Sequence, residues 1–149
     1  MKKAFTIIEL VFAIVIIGIL ASVAIPKLGS TVNMAYLAKG KNTLASVRSA
    51  LATERQKLIL KGEFGTIVKL RNGTTGVFTN FVYKNSSNND TNGSKVLTYD
   101  VESCTHTGCW NTTDGITYTF YKEGTNCTFA LANNKFNPSS STTCTELTQ

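Results

Sequence analysis

Histidine occurs once in these 149 residues, at His106. Chemistry built on several imidazoles is therefore excluded, and in the turn-rich stretch Cys104–Trp110 a lone histidine reads as a surface residue rather than a general base. A zinc site would have to combine Cys104, His106, Cys109 and one further thiol, yet paired CxxC spacings are absent. Nucleophile–base pairs, phosphate loops and paired carboxylates are missing as well. The expectation is a protein that is not an enzyme and uses no metal and no cofactor. Charge is missing from one place in particular: between Phe5 and Ile25 the only ionisable side chain is Glu9.

What occupies that stretch is an apolar run, preceded by Lys2, Lys3 and the small residue Ala4. Its length at about 1.5 Å per residue matches the hydrocarbon core of a bilayer. A carboxylate in such a helix costs roughly 2.5–3.5 kcal/mol on insertion scales, so Glu9 points to a partner rather than to a simple anchor. Gly18 and Pro26 are the weak points of the run. Glycine costs about 1 kcal/mol in a helix interior, and proline removes a backbone donor and crowds the preceding turn. Helix loosened between them needs polar partners, which a protein assembly supplies better than lipid does.

After Pro26 the helical period resumes, with Leu37, Leu44, Leu51 and Leu58 recurring every seven residues and Met34 and Val47 beside them. Gly40 and Glu54 interrupt the seam, which favours one stripe laid on a sheet over a coiled coil. Gly62 and Gly65 bracket the end of a helix running from residue 5 to about 61. Thr66–Leu70, Val77–Tyr83, Lys95–Val101, Ile116–Lys122 and Cys127–Ala132 read as strands, and Asn133-Asn134 as a tight turn leading to Lys135–Asn137. Asn85–Gly93 reads as a polar loop and Pro138–Gln149 as irregular. The order predicts an α+β fold: a long N-terminal helix packed on an antiparallel sheet of about four strands, with Leu37, Leu44, Val47, Leu51 and Leu58 in the interface. The segments are a leader at 1–4, a transmembrane and polymerisation helix at 5–26, an amphipathic helix half at 27–62, and a β-sheet head at 63–149.

Four cysteines, all at or beyond Cys104, predict an oxidising compartment and two disulfides. Three connectivities are open. Cys104–Cys109 with Cys127–Cys144 is favoured, because the second bond ties the end of the chain to a strand. Net charge is +6, carried mostly by the leader and by the stretch from Lys27 to Arg71. Aromatic residues do not interleave with it as nucleic-acid binding would need, so a solvated helix face is the expectation. Asn92, within Asp90-Thr91-Asn92-Gly93-Ser94, is the candidate for glycosylation, since an acidic residue stands two positions earlier in an expected loop.

Three readings compete for the N-terminus. A secretory signal cleaved near Ser22-Val23-Ala24 conflicts with Glu9 in its apolar region. A plain single-pass anchor leaves Glu9 and the short leader unexplained. The third rests on Ala4-Phe5-Thr6-Ile7-Ile8-Glu9-Leu10, continuing to Pro26, which resembles the class III signal of type IV pilins and their pseudopilin relatives. The resemblance covers Lys2–Leu28 and extends beyond it only to element order and the C-terminal cysteines. It implies cleavage between Ala4 and Phe5 by a prepilin peptidase, with Ala4 standing where the family usually has glycine, and N-methylation of Phe5. It implies assembly through Glu9, Gly18 and Pro26, with the glutamate of an incoming subunit meeting a neighbour's amino terminus. Two unit charges about 4 Å apart attract by about 4 kcal/mol at an effective dielectric of 20, comparable to the insertion cost. It also implies a self-polymer built by an inner-membrane assembly platform and its ATPase, anchored in a bacterial inner membrane before assembly. Afterwards the fibre is extracellular or periplasmic, serving adhesion, twitching motility or DNA uptake in a pilus. The alternatives are a pseudopilin of type II secretion and a membrane-anchored or secreted binding domain. The Cys127–Cys144 region resembles the family's disulfide-bounded, filament-exposed segment.

Overall fold

The computed structural model describes residues 5–139 and 144–148. One helix, α1, covers Ile7–Leu60. Its end is fixed by a Schellman turn: Glu63 N donates to Leu58 O (2.9 Å) and Gly62 N to Ile59 O (3.0 Å). Gly62 takes φ +76°, a left-handed position that a Cβ would strain. Seven strands follow: β1 Ile67–Lys69, β2 Asn80–Lys84, β3 Asp90–Lys95, β4 Trp110–Asn111, β5 Thr117–Phe120, β6 Cys127–Ala132 and β7 Lys135–Pro138. A short α2, Thr145–Thr148, comes after them.

The α+β class stands, but the expected single sheet is two antiparallel sheets, ordered β1-β2-β3 and β4-β5-β6-β7. The division follows from residues 96–109, which were expected to continue a strand from Lys95 to Val101. They instead leave β3 through a bend, burying Val96 and Leu97 without strand pairing. Val96 N bonds Thr79 O and Val77 N bonds Val101 O, so this segment is held by single contacts rather than a ladder. The polar loop expected at Asn85–Gly93 is also shorter than its composition suggests. Asn85 Oδ1 accepts from Ser87 N (3.0 Å) and Asn89 N (2.9 Å), closing an Asx-type turn. Strand β3 then starts at Asp90, with Lys84 opposite Asp90 and Val82 opposite Asn92. By contrast β6 and the turn into β7 are as expected: Asn133 and Asn134 both take positive φ, which a two-residue hairpin turn requires.

The chain divides into two units, Met1–Ala35 and Tyr36–Gln149. The second therefore begins inside α1, because residues from Tyr36 onward pack with the sheets. Leu44, Val47, Leu51 and Leu58 are buried, and Leu37 packs partly against the same core. Met34 falls in the first unit and is exposed. The two interruptions of the heptad seam turn out to be fitted contacts. A Cβ on Gly40 would come within 2.7 Å of the Phe120 ring and 2.9 Å of Leu147, so glycine lets both close on the helix. Glu54 is 5% exposed and its carboxylate accepts from Ser94 N (3.2 Å), Ser94 Oγ and Lys57 Nζ (3.4 Å). Burial raises its pKa, and these donors more than offset that, holding it below the ordinary 4.5.

Aromatic rings fill the middle of this unit. Phe78 stacks on Tyr118 at 4.9 Å and meets Trp110 and Phe136 edge-on at 5.4 and 6.0 Å. Tyr118 Oη donates to Gly115 O (2.5 Å) and accepts from Leu70 N (3.1 Å), tying one sheet to the other. The basic stretch is partly structural as well. Arg48 bonds Phe136 O (3.0 Å), Arg55 bonds Gly65 O (2.5 Å), and Arg71 bonds the carbonyls of Thr112 and Thr113 (2.8 Å each).

Candidate assembly site

Among the described residues of the first unit no large apolar side chain is covered. From Phe5 to Leu28 every one is between 47% and 85% exposed. The helix is long and apolar enough to cross a membrane. It runs without a break through Gly18 and Pro26, so any loosening there belongs to another state of the molecule. Gly18 leaves open space where a Cβ would stand. Pro26 has no N–H to donate to Ser22 O, and Ser22 Oγ donates back to Ile19 O (2.7 Å).

Glu9 is the one place where the helix start differs from its reading in sequence. There it is a charge without a partner until assembly; here it is already bonded within its own chain. Thr6 N donates to Glu9 Oε2 (2.9 Å), Thr6 Oγ1 donates to the same oxygen (2.8 Å), and Glu9 N approaches Thr6 Oγ1 at 3.4 Å. This is a capping box, with threonine at the N-cap and glutamate three residues on. It satisfies backbone donors that a helix N-terminus otherwise leaves open. The signal was legible, since Thr6-Ile7-Ile8-Glu9 has the Ser/Thr-x-x-Glu spacing. Glu9 is thus placed at the positive end of the helix, four residues after Phe5, which is 84% exposed. Ala4 lies outside the described residues.

Of the two expected disulfides, the structure forms Cys104–Cys109. Its loop is pinned by Cys104 N to Trp110 O (3.2 Å) and Tyr121 N to Cys109 O (2.9 Å). His106 Nε2 lies 3.2 Å from Cys109 Sγ, and the ligand atoms of Cys104, His106 and Cys109 fall within 4.8 Å of one another. The disulfide takes up both thiols, which removes the thiolates a metal would need. The second bond, Cys127–Cys144, is not made. Both residues are buried, and the Cys127 thiol is pushed up to about 12 by burial and by a hydrogen bond with Cys144. The two side chains are buried thiols within hydrogen-bond reach of one another. The tail expected to be irregular forms α2 beside them, and its Glu146 pairs with Lys122 at 2.7 Å. Asn92 is exposed, but in paired strand β3 rather than a loop, which removes the context on which its glycosylation was expected.

The bare apolar segment, with its capped glutamate and the exposed aromatic before it, lies in the part of the chain for which a family model matches. No curated protein and no solved structure matches the chain as a whole. The N-terminal motif implies processing by a prepilin peptidase and assembly within pilus or secretion machinery, and with the apolar helix it fits membrane anchoring before assembly. Residues 1–25 match the family described as the prokaryotic N-terminal methylation motif, the class III signal peptide of type IV pilins and pseudopilins.

Proposed function

We propose that the protein is a structural subunit, without catalytic activity, of an extracellular type IV pilus that polymerises through its N-terminal helix. The observation that carries this reading is the contrast within one helix. Residues 5–28 expose every large apolar side chain, while from Tyr36 onward the helix buries Leu44, Val47, Leu51 and Leu58 in a core shared with the strands. Apolar surface of that extent leaves water at about 25 cal/mol per Å², so it demands lipid before assembly and copies of itself afterwards. Cleavage after Ala4 gives Phe5 a new amino group for methylation. In the polymer Glu9 meets the Phe5 amine of a neighbour, an exchange eased by the carboxylate's position at its own helix start. Gly18 and Pro26 are the sites where the helix yields as subunits bundle. The Cys104–Cys109 staple supports a fibre exposed to oxidising surroundings, where the neighbouring Cys127 and Cys144 close a second bond.

The test is electron microscopy of material sheared from cells carrying the wild-type chain or Glu9→Ala, with N-terminal sequencing of the fibre. Abundant surface fibres starting at methylated Phe5, lost in Glu9→Ala while membrane insertion persists, are the expected result. Fibres confined to the periplasm would replace the pilus with a type II secretion pseudopilus. A soluble chain beginning at Ile25 would end the reading.

A further inference from the structure

The second unit keeps two exposed patches that its own core does not explain. At the end of α1, Leu60 is 88% and Phe64 is 72% exposed, with Lys61 exposed between them; Glu63, also between them, is half-buried with its Oε2 out of solvent, so Lys61 is the charge that this end presents outward. These side chains are not on a loose loop. The Schellman turn through Gly62 fixes one side. On the other, Gly65 lies so close to β2 that a Cβ would come within 1.4 Å of Lys84 O, and Arg55 bonds its carbonyl. Backbone fixed on both sides of Phe64 has little further ordering to lose when this segment docks, which favours a preorganised contact.

The other patch is Tyr99, 49% exposed, with exposed Asp100 and Glu102. It too is fixed, by Leu97 and Val101 packing toward the core and by the bond from Val77 N to Val101 O (2.9 Å). Among the described residues neither carboxylate, nor Lys61, takes part in an ion pair. Lys39 and His106 line the same cavity as Asp100 and Glu102, and two carboxylates against one lysine leave that wall acidic. Thr43 lines it too, and Leu60 lies seventeen residues further along the helix, about 26 Å at 1.5 Å per residue. Tyr99 also lines the cavity along Ala45 to Lys57, but Asp100 and Glu102 stand beside Lys39 and Thr43, so the charged groups of the two patches sit toward opposite ends of the helix that this unit packs.

We propose that they meet between chains: Leu60, Lys61 and Phe64 of one copy dock on Tyr99, Asp100 and Glu102 of the next. The occupant is a second copy because each patch has the charge that the other lacks and an aromatic ring to cover the other's apolar surface. Such a contact is heterologous, since the two surfaces differ, and a heterologous contact repeated along an axis builds an open fibre rather than a closed dimer. The inference rests on the polymer reading and adds a contact between heads to the bundling of apolar helices.

The test uses fibres of the full chain made by its own machinery. With the photo-crosslinking residue p-benzoylphenylalanine at position 64, illumination should give covalent dimers whose joined peptide carries Tyr99–Glu102 of another copy. Lys61→Glu or Asp100→Lys alone should each lower fibre yield, by about fivefold if the pair is worth the upper end of exposed ion pairs. The double variant Lys61→Glu with Asp100→Lys should restore it. Fibres carrying the photo-crosslinking residue at position 64 that join only to other segments, to lipid or to a different protein would overturn the head contact and leave polymerisation standing. A double variant as poor as the worse single one would also overturn it. Absence of fibres from the wild-type chain would remove both.

Discussion

The two units of this chain handle apolar surface in opposite ways. In the second, Val47, Leu70, Val77, Tyr118, Phe120 and Phe129 are fully enclosed, and even the breaks in the helical stripe are filled, Gly40 by Phe120 and Leu147 and Glu54 by Ser94. In the first, fifteen large apolar side chains from Phe5 to Leu28 face outward, and the polar bonds there include a cap and hydroxyl-to-carbonyl bonds from Ser22, Ser30 and Thr31. The difference teaches where stability resides. The second unit contains its own solvent-free interior. The first has none, and its helix is long and apolar enough to cross a membrane, so its apolar face is left for contacts that a single chain does not make.

That contrast breaks most sharply under truncation of large side chains. Phe129→Ala should cost the second unit about 3–5 kcal/mol and lower its melting temperature in a thermal scan, whereas Ile14→Ala should leave that transition in place. Equal shifts for both would mean that the units share one core. A smaller effect is expected at the helix start: Thr6→Val removes the N-cap and should cost about 1 kcal/mol of local helix stability. Amide exchange at residues 7–10 in micelles would report it, and unchanged protection there would dismiss the cap.

The pH response sharpens the comparison further. Because the folded pKa of Glu54 lies below its ordinary value of 4.5, its contribution is present above that value and is lost as pH falls through the folded pKa. The second unit should therefore lose stability below about pH 4.5, and Glu54→Gln should flatten part of that fall. An identical acid profile in the variant would show that the buried carboxylate contributes nothing.

Much of this was legible because it is local. The 3.6-residue period, the glycine that ends α1, the alternation of β5 and β6, and Asn133-Asn134 are each set by a few neighbouring residues. Even Thr6–Glu9, overlooked among the competing readings of the N-terminus, is written in a four-residue spacing. The misses share another cause. Trp110–Asn111 is too short to show a strand period, and its pairing with Phe120 and Thr119 is made across a turn. Asp90–Lys95 carries no apolar pattern at all, yet forms a strand because its backbone pairs with β2 and its Gly93 leaves room for Glu54 and Phe81. Composition alone gives no sign of that closeness.

The chain's linear order settled that an apolar helix bearing one glutamate and the methylation motif lies at its N-terminal end, because hydropathy and cap spacing act between residues a few positions apart. Tertiary structure decided that the strands split into two sheets, that Glu54 and Gly40 are interior contacts, and that Cys127 meets Cys144. Those outcomes depend on which distant surfaces exclude water together, a property that belongs to the folded arrangement and to no short stretch of sequence.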